Sequence, residues 1–276
     1  MKYKYNKDFF KIWSDEMAYV LGFWFADGHI TKNNKTNSSK TFGITQSTKD
    51  KYILESIKKA IDFNGPVKEE KKSKYPKSYL RIYSQEIYHD IINLGGMERK
   101  SSIVNFPDIP EKYIRKFILG FFDGDGSVVI SNKNIIKIIF TGGEKFLEAI
   151  KQVFVKFNIV DLQKSAGTFY KIKSKNNMTY HLDYSGFNAI KILEWIYKDV
   201  EKTELYLKRK YSKFKSFNYN KNSKYNLKYK AIDEDGKEYQ IYNLKQFLKD
   251  NKIHSSTFRK CFNEKRKCKN FTFYKI

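Results

Sequence analysis

The sequence has few cysteines and no long apolar run, and each absence excludes a class of protein. Its 276 residues include 2 cysteines, Cys261 and Cys268, with His254 as the nearest histidine. That spacing is not typical of a zinc site or of a disulfide-rich scaffold, so we expect two free thiols. No apolar run approaches the roughly 18–20 residues of a membrane span. The N-terminal stretch MKYKYNKDFF lacks the apolar region of a signal peptide. We therefore expect a cytoplasmic protein that is neither secreted nor bound to a membrane.

Acidic residues are scarce relative to basic ones. There are 30 Asp and Glu against 54 Lys and Arg, which gives a formal net charge of +24. A/T-rich codon usage enriches lysine, and it contributes to this excess without explaining the shortage of acids. Such a charge points to a polyanionic partner, with nucleic acid ahead of an anionic membrane. After position 201 the chain has 21 of the basic residues and 7 of the acidic ones. Over half of the excess therefore lies in the last quarter.

The chain contains an internal repeat. The stretches YVLGFWFADGHI (19–30) and FILGFFDGDGSV (117–128) share the pattern L-G-F-x-x-x-D-G, with their aspartates 98 residues apart. Each stretch is followed by the same pattern of two strands, a helix, two strands and a helix. We therefore predict an α+β fold with a duplicated αββαββα core, and with apolar residues at 41% the core is ample. The predicted parts are a first repeat at 1–106, a second at 107–215, a linker at 216–227 and a C-terminal module at 228–276.

The two repeated stretches read as helices. Ser14 is a suitable N-cap for the first, and Pro107, Pro110 and Glu111 introduce the second. Both contain a glycine in the middle, Gly22 and Gly120, where glycine costs about 1 kcal/mol relative to alanine. That cost is explained if the two helices pack closely at these glycines. Their C-terminal acids, Asp27 and Asp125, should then meet.

Two carboxylates that meet at the negative ends of two helices repel each other. A divalent cation relieves this repulsion, and Mg²⁺ suits a site with few protein oxygens and a phosphate substrate. In a basic protein, the pattern favours hydrolysis of a nucleic acid backbone. The plain alternative is that each Asp-Gly is an ordinary turn after a helix. A calcium loop is disfavoured, because Val128 stands where such a loop needs glycine.

The paired motifs, VLGFWFADG (20–28) and ILGFFDGDG (118–126), resemble the signature of the LAGLIDADG homing endonucleases in their monomeric two-repeat form. The resemblance covers about residues 10–215. It implies two saddle-shaped antiparallel sheets about a pseudo-twofold axis, which straddle double-stranded DNA. It also implies a monomer without an obligate protein partner that cuts both strands of a long asymmetric site with Mg²⁺, for which Mn²⁺ can substitute. The metal site would contain Asp27 and Asp125 together with Gly28 and Gly126.

The resemblance implies roles for further residues. Gln46 resembles a polar residue near the catalytic water of relatives, so we assign it to catalysis or DNA contact, and Gly142 is its counterpart in the second half. Arg81 and His181 are expected at equivalent places in their strands, and with Thr45 they are candidate DNA contacts. A solvated strand face is the alternative. The sixth motif position is Phe25 in one copy and Asp123 in the other, and we expect Asp123 to cap a helix or face solvent.

The last segment predicts a small module. Asp235-Gly236 suggests a hairpin, followed by a helix capped by Asn243 and a second helix capped by Ser255 or Ser256. The pattern DEDGKEYQIYNLKQFLKDNKIHSSTFRKCFN resembles the accessory DNA-binding modules of phage intron-encoded endonucleases. It implies phosphate contacts from five basic residues, with a solvated basic helix as the alternative: Arg259, Lys260, Lys265, Arg266 and Lys267.

Three functions remain distinct at this point. The first is a Mg²⁺-dependent, intron-encoded endonuclease of a mobile genetic element. The second is a protein on the same scaffold that binds without cutting, either a DNA-binding regulator or an RNA maturase that binds its own intron RNA. The third is a nicking enzyme, which the difference between Gln46 and Gly142 suggests. The presence of both Asp27 and Asp125 favours the first.

Overall fold

The computed structural model describes most of the chain. The described residues are 3–32, 40–70, 74–100, 103–132, 134–160, 167–173, 178–217, 229–241 and 244–275. The chain divides into two compact units, the first formed by Met1–Ser131 and Ile136–Ser216, the second by Asn132–Ile135 and Phe217–Ile276.

The first repeat begins with the helix predicted from the first motif. Ser14 is its N-cap, and the Oγ of Ser14 accepts a hydrogen bond from the backbone N–H of Met17. The helix ends at Asp27, and Gly28 continues in extended conformation, with φ −87°, as the first residue of a strand. Gly28 therefore starts a strand and is not a left-handed helix cap. The elements are α1 (Asp15–Asp27), β1 (Gly28–Lys32), β2 (Lys40–Ser47), α2 (Lys51–Ala60), β3 (Lys68–Glu70), β4 (Lys77–Tyr83) and α3 (Gln85–Asn93).

The second repeat has the same order. A 3-10 turn at Glu111–Tyr113 leads into its first helix, so the proline-containing approach lies outside the helix itself. The elements are α4 (Ile114–Asp125), β5 (Gly126–Ile130), β6 (Ile136–Gly142), α5 (Glu144–Lys156), β7 (Thr168–Lys173), β8 (Met178–Ser185) and α6 (Phe187–Ile196). One further helix of this unit, α7 (Lys208–Lys215), follows. The predicted duplication of the αββαββα order is confirmed.

Each repeat forms a four-stranded antiparallel sheet, with strand orders β1-β2-β4-β3 and β5-β6-β8-β7. Alternate residues of the strands point to opposite faces. On β2 and β4 one face packs into the core, where Phe42, Ile44 and Leu80 are fully buried. The other face bears polar residues such as Thr45 and the exposed Arg81. These two strands therefore have one buried and one open face.

The helices α1 and α4 pack against each other at their central glycines. A Cβ atom on Gly22 would lie 1.9 Å from the carbonyl oxygen of Phe117, and one on Gly120 would lie 2.0 Å from that of Tyr19. Neither distance leaves room for a side chain, so the backbones are in direct contact. This confirms the reason inferred for the two glycines.

The strand register corrects one predicted equivalence. Because Gly28 pairs with Ile44 and Gly126 with Phe140, the two repeats can be aligned through their sheets. In that alignment Arg81 corresponds to Asp183, while His181 corresponds to Tyr79. Arg81 and His181 share the open face but stand two residues apart in register. The prediction failed because alternation fixes the face of a residue and not its position along the strand.

The second unit contains a small sheet of order β10-β9-β11 and two short helices. Its own buried core includes Ile241, Leu248 and Phe258. Cys261 and Cys268 are both buried free thiols, as expected. The elements are β9 (Tyr229–Ile232), β10 (Glu238–Ile241), α8 (Leu244–Asp250), α9 (Ser255–Asn263) and β11 (Thr272–Lys275).

The predicted hairpin of the module is confirmed, and the predicted cap of its second helix is wrong. The predicted hairpin at Asp235-Gly236 is present, with Gly236 at φ +79°. Its second helix is capped by the imidazole of His254, which accepts from the N–H of Ser256, and not by Ser255 or Ser256. The predicted cap Asn243 and most of the predicted linker at 216–227 lie outside the described residues. Within the described chain, no helix is long and apolar enough to cross a membrane.

Candidate active site

The two motif acids lie together at the ends of α1 and α4. Asp27 is the last residue of α1 and Asp125 the last residue of α4. A Cβ atom on Gly124 would lie 3.1 Å from Oδ2 of Asp27, so this carboxylate sits against the end of the opposite helix. Burial raises the pKa of both acids, and with the charge of Asp27 it raises the pKa of Asp125 to about 6. The site therefore holds two carboxylates that repel each other.

Two buried lysines complete this cluster, and sequence reasoning missed both. Nζ of Lys100 donates to the carbonyl oxygens of Phe25 and Ala26, at 2.8 and 2.9 Å. Nζ of Lys210 donates to those of Phe122 and Asp123, each at 2.7 Å. Each ammonium group thus binds the carbonyl end of one motif helix, where a cation interacts favourably with the helix dipole.

The nearby acids favour the charged form of both lysines. Lys100 and Lys210 are 7% and 3% exposed. Burial lowers the pKa of each to about 8; Asp125 and Asp27 oppose that shift for Lys100, and Asp123 opposes it most for Lys210. Both ammonium groups therefore stay largely protonated at neutral pH. The only signal for them in the sequence was position, because each lysine follows the last helix of its repeat.

The two halves of the cluster differ in one side chain. The amide nitrogen of Gln46 donates a hydrogen bond to Oδ2 of Asp27. The register places Gly142 at the corresponding position of β6. Asp125 therefore has no equivalent amide donor from this strand position. Gln46 points to the helix side of its sheet, on the same face as Ile44, so the structure favours its predicted role at the acids over one on the open face.

Asp123 is buried, which corrects the expectation that it caps a helix or faces solvent. Its side chain is 0% exposed. The hydroxyl groups of Tyr19 and Tyr197 donate to it at 2.9 and 3.2 Å, and the backbone N–H of Leu207 donates at 2.8 Å. Burial raises the pKa of this carboxyl to about 6. Asp123 thus joins α4 to the segment that carries Lys210.

The donor set fits a hard divalent cation. The two carboxylates are close enough for the charge of Asp27 to raise the pKa of Asp125, and each is on the last residue of its helix. Among the described residues, no group of three or more His, Cys, Asp or Glu side chains forms a larger metal site. A pair of acidic oxygens with few other protein ligands is typical of Mg²⁺ sites that use water and substrate phosphate as further ligands.

Comparison with known families identifies the duplicated unit. The family model described as "LAGLIDADG-like domain" matches residues 14–94 and 112–196, which is more than half of the chain and one match for each repeat. This chain belongs to the LAGLIDADG-like domain family. The motif resemblance described above is therefore confirmed, and the two matches correspond to the two repeats of the structure.

Curated proteins with related sequence are much longer than the matched segment. The RNA polymerase subunit Rpo1C of Methanocaldococcus jannaschii is 26% identical over 198 residues, 70% of this chain and 21% of that protein. The replication factor C small subunit of Thermococcus kodakarensis is 26% identical over 195 residues, 68% of this chain and 21% of that protein. This LAGLIDADG chain thus spans about a fifth of the length of these relatives.

Solved structures of LAGLIDADG proteins are also similar. Meganuclease I-SmaMI bound to uncleavable DNA has a TM-score of 0.46 and 16% identity, covering 72% of this chain and 88% of that one. I-DmoI in complex with DNA and calcium has a TM-score of 0.47 and 17% identity, covering 69% and 90%. These are distant likenesses.

The candidate DNA contacts of the LAGLIDADG unit lie apart from the acid–lysine cluster. Thr45 and Arg81 are on the open face of the first sheet, and Arg81 lies over the ring of Tyr79 at 5.4 Å. His181 is on the open face of the second sheet, where its Nδ1 lies 3.0 Å from the hydroxyl of Tyr170. The structure thus places these three residues on open sheet faces and only Gln46 at the acids.

The second sheet contains an acid that the sequence reasoning overlooked. Asp183 is 7% exposed on the open face, and its Oδ2 forms an ion pair with Lys137. Its Oδ1 is buried without a hydrogen-bond partner. Since Arg81 occupies the corresponding position of the first sheet, the two open faces differ in charge at this position.

The five basic candidates of the module differ in their surroundings. Arg259 and Lys260 are exposed on α9, whose opposite side is buried at Phe258 and Cys261. Three follow that helix: Lys265, Arg266, which forms an ion pair with Glu264, and Lys267, which lies 3.9 Å from Glu234. The arrangement keeps Arg259 and Lys260 on the open side of a short helix.

Proposed function

We propose that this protein is a site-specific DNA endonuclease that hydrolyses phosphodiesters on both strands of an asymmetric duplex target. One observation carries the proposal: two buried acids end two contacting helices, and two buried lysines bind the carbonyl ends of the same helices. Burial raises the pKa of both acids, so keeping them charged at neutral pH destabilises the fold. A structural role in helix packing alone does not explain such a pair.

Asp27 and Asp125 would hold Mg²⁺, with the carbonyl groups near Gly28 and Gly126 as further oxygen donors. When bound, such an ion supplies Lewis-acid stabilisation of the charged oxygens and an activated water. It would also offset the repulsion by Asp27 that, after burial, raises the pKa of Asp125. The paired acids support a divalent cation here, and the net charge of +24 supports a nucleic acid partner.

The lysines would act on the phosphate. Lys100 and Lys210 are fixed by hydrogen bonds to helix carbonyls, so their positive charge is held in place before the substrate arrives. A fixed charge in a buried site stabilises negative charge that develops on a phosphoryl group better than a mobile one. With a pKa of about 8, each lysine is also able to release or accept a proton near neutral pH.

The open sheet faces would bind the duplex. Strands with polar residues on one face suit contacts in the major groove, and basic side chains supply phosphate affinity. Arg81 on one sheet corresponds to the ion pair of Asp183 with Lys137 on the other, so the two faces differ at this position. Because the two faces bear different side chains, the two half-sites of the target should differ.

The test is cleavage in vitro. The purified chain is incubated with a genomic or randomised duplex library and MgCl₂, and the ends are sequenced. One recurrent site is expected, lost in Asp27→Asn, in Asp125→Asn and with EDTA. Exposed Asp108→Asn is the matched control and should cut normally. Tight binding without cleavage would overturn the proposal and favour a regulator or maturase.

A nicking enzyme is the second candidate, and one observation favours it. Asp27 receives a side-chain amide from Gln46, whereas the corresponding residue of the second sheet is Gly142, which has no amide to offer Asp125. If the two acids are so unequal that one strand is never cut, the same library will show breaks on one strand alone. Breaks on both strands at the recurrent site would exclude this candidate.

A further inference from the structure

A cleft lies at the outer edge of the first sheet. β3 pairs only with Lys77–Tyr79 of β4, whereas β2 pairs with β4 along its whole length. The part of β4 from Leu80 to Tyr83 therefore has no neighbouring strand on its outer side among the described residues. The cleft has a volume of about 360 Å³ and opens beside this part of β4. That volume is within the usual range of small-ligand sites.

The walls of the cleft are mainly aromatic. Five rings line it: Tyr3, Tyr5, Phe63, Tyr79 and Tyr83. Tyr3 packs edge-on against Phe63, with ring centres 5.8 Å apart. The hydroxyl of Tyr5 donates to Oγ of Ser84 at 2.8 Å. These contacts hold the inner rings in place, while Tyr83 is 60% exposed at the mouth. The cleft thus offers flat faces that are fixed before a ligand binds.

The charged side chains that line the cleft are both basic. They are Lys68 and Arg81, and the guanidinium of Arg81 lies over the ring of Tyr79 at 5.4 Å from its centre. No acidic side chain is among the lining residues, and the nearby Glu86 accepts from the hydroxyl of Tyr5 at 3.1 Å. An aromatic cleft with two cations at its wall matches a planar ligand that also bears negative charge. A nucleotide has both properties, because its base stacks and its phosphate is anionic.

We propose that this cleft binds one unpaired nucleotide of a single-stranded nucleic acid, with the base among the tyrosines and a phosphate on Lys68 and Arg81. A base within a duplex would first have to leave its stack, at a cost of a few kcal/mol, so single strands are favoured. None of the lining residues belongs to the acid–lysine cluster. Binding here is therefore separate from the chemistry at Asp27 and Asp125, while Arg81 also borders the open sheet face. Both RNA and single-stranded DNA have the required chemistry.

Fluorescence anisotropy with the full-length chain tests this. Labelled strands of roughly 12 nucleotides, of RNA and of DNA, are titrated in EDTA at about 0.2 M salt, which weakens non-specific phosphate binding. Tyr83→Ala should weaken single-strand binding by about 5- to 150-fold, the range that loss of one stacked base produces. Tyr83→Phe should retain binding. The matched control is Tyr75→Ala, since Tyr75 is 70% exposed and does not line the cleft.

Two further measurements make the outcome specific. A strand of the same length with abasic sites should bind wild-type protein as weakly as the intact strand binds Tyr83→Ala. Photo-crosslinking of an iodouracil-containing strand should modify peptides with Tyr3, Tyr79 or Tyr83. The tighter of RNA and single-stranded DNA identifies the source of the nucleotide.

Three results would overturn the proposal. In the first, Tyr83→Ala binds like Tyr75→Ala. In the second, the crosslinks lie outside the cleft. In the third, Tyr83→Ala weakens duplex and single-strand binding equally, which would make the cleft part of the duplex surface. Cleavage with MgCl₂ is measured separately, so failure of the endonuclease proposal does not affect these results.

Discussion

At the scale of single residues, the site depends on carboxylates in three different environments. Asp27 accepts from Gln46, Asp125 has no such amide from β6, and Asp123 is enclosed by two tyrosine hydroxyls and a backbone N–H. Asp123 also lies in the peptide segment that binds Lys210. Asp123 thus lies two residues before the candidate metal ligand Asp125, and its backbone carbonyl helps to position Lys210.

The raised pKa of Asp125 predicts a cost of keeping this acid charged. Its pKa rises from the ordinary 3.8 to about 6 on folding. Between these values the folded state binds more protons than the unfolded state, so the free energy of unfolding falls as the pH rises through this window. In metal-free protein at pH 7, Asp125→Asn should therefore increase the free energy of unfolding by about 1–3 kcal/mol.

Denaturant unfolding in EDTA measures this effect. The gain from Asp125→Asn should shrink as the pH is lowered to about 4, where wild-type Asp125 is itself neutral. Exposed Asp108→Asn is the control and should change little at either pH. A variant less stable than wild type at pH 7, or a gain that does not depend on pH, would contradict the burial of a charged Asp125.

The residues that the sequence could predict are those in the repeated motif. Asp27 and Asp125 were found because the same motif occurs twice with the same spacing. Lys100 and Lys210 were missed because each is one of many lysines, and only the fold brings them to the helix ends. Asp123 was misplaced because its partners, such as Tyr197 and the N–H of Leu207, come from a distant part of the chain.

At the scale of elements, the contact between α1 and α4 fixes the site. The carbonyl oxygens of Tyr19 and Phe117 occupy the space where side chains at Gly120 and Gly22 would be. The order of helices and strands was predictable, because apolar spacing and turn residues are local. The equivalence of Arg81 with Asp183 was not predictable, because register depends on how separate strands pair.

Gly120→Ala tests the helix contact. Alanine is the better helix former by about 1 kcal/mol, so propensity alone predicts stabilisation. The new Cβ would instead lie 2.0 Å from a backbone oxygen that cannot turn away. We expect a loss of about 3 kcal/mol, seen as a lower urea midpoint with unchanged slope. Gly142→Ala is the control, because its nearest atoms are side-chain carbons at 3.4 Å. Equal stability of both variants would refute the close contact.

The difference between β2 and β6 predicts unequal strand cleavage. Because Gln46 binds Asp27 and Gly142 leaves Asp125 without such an amide, supercoiled plasmid should pass through a nicked form before it becomes linear. Gln46→Met keeps the length of the side chain but lacks the amide. It should slow the first cut about 10- to 150-fold, the range for a lost hydrogen bond to a charged group.

The reverse substitution completes this test. Gly142→Gln should bring the rates of the two cuts closer together, and Gly142→Met, of similar size without the amide, should not. A time course on plasmid containing the target measures both rates. If wild-type protein makes linear product without a nicked intermediate, the difference between Gln46 and Gly142 has no influence on strand order.

At the scale of the whole molecule, the net charge of +24 is divided between two compact units. The module has a buried core of its own, and its α9 keeps Arg259 and Lys260 exposed on one side. The basic excess found after position 201 does not follow this division, because α7 (Lys208–Lys215) belongs to the first unit. The sequence predicts that the module contacts DNA phosphates. Such contacts would affect the affinity for DNA and its dependence on salt.

Each phosphate contact that a cationic side chain makes contributes about −0.9 to the slope of log affinity against log salt. The double variant Arg259→Ala/Lys260→Ala should therefore reduce the magnitude of the slope for a long duplex by up to about 2. The control Lys237→Ala/Lys275→Ala removes the same charge from exposed positions outside α9 and should leave the slope almost unchanged. Filter binding or anisotropy in EDTA between about 0.05 and 0.2 M salt measures the slope.

If both double variants lower the slope equally, the module attracts DNA through its overall charge. If only the α9 variant lowers it, α9 lies on the phosphates, because overall charge alone cannot distinguish two variants of equal charge.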